Sequence, residues 1–187
     1  MLRDQGDLAQ ALASYSTSLA VRERLAAADR GNAGWQRDLS VSQEKIGDML
    51  RAQGNLAQAL DSYSTSLAIR ERLAATDPGN AGWQRDLATS HERIGDMARL
   101  NADPSEAIAA FERALAIYEA LLARYPDNIQ FLTFSGVPRL RLGTLQGPGG
   151  RPHLERALQI LKTLDAEDRL DANRKGWIAQ SEAQLAG

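Results

Sequence analysis

The sequence predicts an all-α protein, a stack of antiparallel helix pairs, and three observations carry that expectation. Apolar residues recur three or four apart along most of the chain, which lines one face of a helix. Residues 1–48 are rewritten by residues 49–96 with ten differences and 38 identities, the self-similarity of a repeat array. No stretch alternates apolar and polar residues as a half-buried strand would. The chain of 187 residues is read as one domain, with copies at about 1–48, 49–96 and 97–144 and a degenerate one at 145–187.

The elements follow in order. Leu56, Ala59, Leu60, Tyr63, Leu67, Leu73 and Ala74 form the stripe of a helix over 56–76, and its near-twin occupies 7–28. Asp77-Pro78-Gly79-Asn80 stops that helix, and Asn80 is placed to cap the next by accepting from its free amide hydrogens. Trp83, Leu87, Ile94, Met97 and Leu100 continue as a stripe over 82–101, with a twin at 34–53. The third copy repeats the pattern at 104–124 and 129–143: Ala107, Phe111, Leu115, Ile117, Asn128, Phe131, Leu142 and Gly143 stand 48 residues after Ala59, Tyr63, Leu67, Ile69, Asn80, Trp83, Ile94 and Gly95. Beyond Gly143 the period slips. LERALQIL at 154–161 echoes FERALAIY at 111–118 and opens helices at 153–165 and 171–186, joined to the third copy by the loop LQGPGGRP at 145–152.

Two features break the helical rule. Pro138 stands where the second copy has Ser90, in mid-helix, where a proline costs about 3 kcal/mol, so a break or kink is expected near 135–138. Gly47, Gly95 and Gly143 sit inside helices, which points to close backbone approach. The repeated GNAGWQRDL of 31–39 and 79–87 then ends one helix, caps the next and supplies a bulky anchor, so Trp35, Trp83, Phe131 and Trp177 are expected to form a buried ladder.

The stretch Ile46 to Ile69, IGDMLRAQGNLAQALDSYSTSLAI, resembles the tetratricopeptide repeat: Ile46-Gly47, then Leu50, Gly54, Ala59, Tyr63 and Ser66 at that family's spacing. The family repeat has about 34 residues and this one has 48, with seven extra residues in each helix of the pair. Seven residues are nearly two turns, so each helix lengthens by roughly 10 Å while its stripe keeps its direction. Kinesin-light-chain-like repeats are also longer than the usual form. The resemblance implies a right-handed α-solenoid and a non-enzymatic scaffold whose concave groove takes a peptide or a partner helix.

Carried over position by position, the groove comprises Val41, Glu44, Lys45, Asp48 and Arg51, then Thr89, Glu92, Arg93, Asp96 and Arg99, then Val137, Leu140, Arg141 and Thr144. Some family members grip a C-terminal carboxylate with Lys and Asn where this chain has Glu44 and Asp48, so the resemblance implies poor binding of acidic tails and a better fit for basic, polar partners. The other reading of these charges is pairing between adjacent copies. Met1 aligns with Met49, near the end of a groove helix, which leaves Ala11, Tyr15, Ser18 and Leu19 uncovered. Either the array continues beyond this chain or that face stacks end to end on another copy.

No residues are assigned to chemistry. His91 and His153 lie in different copies without metal-ligand spacing, no GxSxG accompanies the serines, and LQGPGGRP lacks a phosphate-loop lysine. No cofactor is expected. A net charge of -2 argues against nucleic acid. The absence of cysteine, of a signal peptide and of a membrane-length apolar run leads to the expectation of a cytoplasmic protein.

Overall fold

The computed structural model describes residues 2–186; the side chains of 2–9, 11, 172 and 173 lie outside that description. Among the described residues the regular structure is helical: α1 (Leu2–Ala28), α2 (Ala33–Ala52), α3 (Leu56–Thr76), α4 (Ala81–Leu100), α5 (Pro104–Arg124), α6 (Ile129–Leu145), a short 3-10 turn (Gly147–Gly150), α7 (Arg151–Ala166) and α8 (Ala172–Ala186). These are the eight expected helices, with α1 beginning five residues earlier than the apolar stripe indicated. None is long and apolar enough to cross a membrane.

The turns show why the punctuation recurs. Asn32, Asn80 and Asn128 each accept from the backbone N–H three residues on, at Trp35 (3.0 Å), Trp83 (3.1 Å) and Phe131 (3.1 Å), which caps α2, α4 and α6 in turn. Before α3 the chain reverses through Gly54 at φ +82°, and 48 residues later Ala102 takes the same left-handed backbone at φ +57° before α5.

The chain divides into two compact units, Met1–Met97 and Ala98–Gly187, with the boundary inside α4. In the first, side-chain bonds fix the helix directions. Asp48 pairs with Tyr63 and Glu44 with Arg70, so α2 and α3 run antiparallel; Arg70 with Ser90 and Ala74 with Gln84 set α3 against α4 in the same way. Arg37 with Asp86 and Glu44 with Arg93 place α2 and α4 side by side and parallel. The core of this unit is Ile46, Leu50, Ala59, Tyr63 and Met97, with Leu12, Leu19, Leu56, Leu60 and Ile94 packed against it. In the second unit, Glu119 with Arg139 and Glu112 with Gln146 make α5 and α6 antiparallel, and Arg151 with Leu185 and Asp165 with Lys175 do so for α7 and α8. Its cores are Ala98, Ala107, Phe111, Leu115 and Leu142, and separately Ile160, Leu161, Leu164 and Leu170.

Gly47 and Gly143 meet the expectation of close approach. A Cβ on Gly47 would lie 2.7 Å from the Tyr63 ring, and one on Gly143 would collide with Leu154. Two expectations are corrected. No break occurs at 135–138: α6 runs through Pro138, which is fully buried, and the lost amide concerns a single carbonyl within a helix held by packing on both sides. The aromatic ladder is unevenly buried. Phe131 is buried, whereas Trp35, Trp83 and Trp177 are half-buried.

Candidate functional site

The side chains expected to line a groove sort into two kinds. On α2, Val41, Lys45 and Asp48 are half-buried and Arg51 is exposed; on α4, Thr89, Glu92, Arg93 and Asp96 are half-buried and Arg99 is exposed. Glu44 departs from this pattern. At 7% exposure it lies between helices and not on an open wall. The reason is Arg70, an α3 side chain buried like the apolar Ile69 and Leu73 beside it, whose Nη2 lies 2.6 Å from Glu44 Oε2. A buried guanidinium is tolerable only when its donors are answered. Here Nε donates to Ser40 Oγ (3.2 Å), and Nη1 donates to the Asp86 carbonyl (3.0 Å) and to Ser90 Oγ (3.0 Å).

Around this pair the network widens. The Tyr63 hydroxyl donates to Asp48 (2.9 Å), Ser66 donates to the Ser40 carbonyl (2.9 Å), and Arg93 reaches Glu44 (3.4 Å) and Asp48 (3.5 Å). Arg37 and Arg85 both hold Asp86, at 2.6 and 2.8 Å. Burial pushes the Tyr63 phenol up, and the hydrogen bond to Asp48 adds to it, to about 12. Burial alone would lower Arg93, but Asp48 and Glu44 outweigh it and hold the guanidinium above its ordinary value. Burial likewise presses Asp86 upward, and the bonds from Arg37 and Arg85 reverse the balance and lower it. The charges of α2 and α4 therefore serve first as bonds between copies.

In the second unit, Val137, Leu140, Arg141 and Thr144 of α6 line with Trp177 and Gln180 of α8 a depression of about 70 Å³. A larger cleft of about 530 Å³ lies between α1, α2 and α3, floored by Ala26, Leu39, Ile69 and Leu73 and edged by Arg30 and Arg72. None of the expected groove residues lines it. His91 is buried, and His153 is held below the ordinary imidazole value by burial and by Arg139. No cluster of three His, Asp or Glu side chains able to hold a metal occurs among the described residues.

On α1, Tyr15 and Ser18 are exposed, as expected for an uncovered face, but Leu19 packs against the first core and is not available there. The side chain of Ala11 lies outside the described residues. Sequence reasoning passed over Arg70, Ser40, Ser66 and Asp86. A signal for Arg70 was present: it sits in the apolar stripe beside Ile69, and the third copy has Tyr118 in its place, itself buried.

The profile of the tetratricopeptide repeat family matches residues 38–120, from early α2 to late α5. Among solved structures the chain is similar to BtubC (BKLC) from P. vanneervenii, at 15% identity and a TM-score of 0.48, covering 96% of this chain and 88% of that one. A search of curated proteins found no match.

Proposed function

We propose that this chain, which carries tetratricopeptide-type repeats over residues 38–120, is a non-enzymatic scaffold that holds a peptide or a partner helix against the wall formed by α2 and α4. The observation behind this reading is that Arg93 spans from α4 to Glu44 and Asp48 of α2, which sets the two helices side by side with Val41, Lys45 and Thr89 left half-exposed beside the bridge. Glu44 and Asp48 are engaged within the unit, so these two acids contribute less to a preference for a basic partner. A partner presenting apolar groups to Val41 and hydrogen-bond acceptors to Lys45, Arg51 and Thr89 fits better. In the second unit the α6 depression of Leu140, Arg141 and Trp177 offers a similar but smaller surface.

Cross-linking capture with the purified chain, run in parallel with a Val41→Glu/Lys45→Glu variant, tests this. Neither side chain supports the core, so the variant should fold. A partner retained by the parent and lost by the variant is the expected outcome; equal capture by both removes this wall as the receptor. The alternative, end-to-end self-association, rests on the exposed Tyr15, Val21 and Leu25 of α1. Sedimentation equilibrium over a wide concentration range reads it, and a constant monomer mass eliminates it.

A further inference from the structure

The helices α1 and α3 carry nearly the same sequence. Residues 8–28 and 56–76 differ only at Ala13/Asp61, Val21/Ile69 and Ala28/Thr76. On α3 the face of this sequence is covered by α2, and each contact is specific. Tyr63 lies against Gly47 and donates to Asp48, Ser66 donates to the Ser40 carbonyl, and Arg70 reaches Glu44 and Ser40. Tyr63, Ile69 and Leu73 are left 1%, 4% and 7% exposed.

On α1 the corresponding groups are open. Tyr15, Val21 and Leu25 are 36%, 44% and 39% exposed, and Ser18 is exposed. Arg22 keeps one bond of its counterpart, donating to Ser42 as Arg70 donates to Ser90. The carboxylate and the second serine that Arg70 finds on α2 have no equivalent around Arg22 among the described residues.

We infer that this face of α1 is a seat for one helix of the α2 type. The filled seat on α3 states the chemistry of the occupant: a serine, a glutamate four residues on, then Gly-Asp three residues after that, as at Ser40, Glu44, Gly47 and Asp48. The glycine admits the Tyr15 ring, the aspartate accepts from its hydroxyl, and the glutamate answers Arg22. A folded second copy is a poor supplier. Its α2 already spends these groups on its own α3, Gly95 of α4 is itself buried, and α6 carries Leu140 and Thr144 in place of the acids, with Gly143 against Leu154. This inference is independent of the α2/α4 wall, and either can fail without the other.

The test uses the full chain and a fluorescent peptide of residues 33–52, stapled on its solvent face so that the cost of ordering a helix does not mask binding. Saturable binding is expected. It should weaken about tenfold or more with Gly47→Leu in the peptide, because overpacking against a ring is costly. It should weaken similarly with Tyr15→Glu in the protein, a surface change that circular dichroism will show to leave the helices intact. Absence of saturable binding, or binding indifferent to both substitutions, overturns the inference. So does a concentration-dependent dimer that Tyr15→Glu abolishes, since a second copy would then fill the seat.

Discussion

Gly47 and Gly136 are both helical glycines, yet they stand in opposite situations. A methyl group on Gly47 would meet the Tyr63 ring at 2.7 Å, whereas one on Gly136 would meet nothing within 4 Å. Exchange of glycine for alanine gains about 1 kcal/mol of helix propensity wherever space allows. Gly136→Ala should therefore raise the urea midpoint. Gly47→Ala should lower it, because displacing a ring that is packed and hydrogen-bonded costs about 1–3 kcal/mol. Opposite signs in one denaturation series are the expected result. Both glycines are visible in the sequence, but only the neighbour that each one meets separates a required glycine from a tolerated one.

At the scale of the element, helix boundaries follow from local chemistry, and the three asparagine caps reproduce wherever Asn-x-x-aromatic recurs. What α3 does with its arginine does not follow from α3. Arg70 is buried because Ser40, Glu44, Asp86 and Ser90 arrive from two other helices. Removing one partner strands the other charge, so Glu44→Ala is expected to destabilise by about 3–5 kcal/mol, while Glu44→Leu combined with Arg70→Met should cost much less. A double-mutant cycle read by chemical denaturation checks this; additive losses would mean that the two side chains act separately. The same dependence on neighbours explains Pro138, since a local rule predicts a break and a helix packed on both sides tolerates the missing bond.

For the whole molecule, the buried network predicts the limits of stability in pH. The Tyr63 phenol is raised from 10.0 to about 12, so between those values the unfolded chain has lost a proton that the native one keeps. Stability is complete below pH 10 and declines as pH rises toward 12, by about 2–3 kcal/mol. Thermal melts across that window should show the decline, and Tyr63→Phe should flatten it. On the acid side the sign reverses: Asp86 is lowered from 3.8, so the unfolded chain takes up its proton first and stability falls as pH drops below that value.

The expected groove was legible as a set of positions but not as a surface. Val41, Lys45 and Thr89 are half-exposed, whereas Glu44, which the family resemblance placed beside them, is consumed by Arg70. The sequence by itself determined the all-helical class, the repeat, the caps and the helix lengths, because periodicity, turn chemistry and side-chain size act within a few residues of one another. Tertiary structure alone decided which charges bind helices together and which aromatics are covered. Those outcomes depend on groups tens of residues away in the chain, whose approach no local pattern encodes.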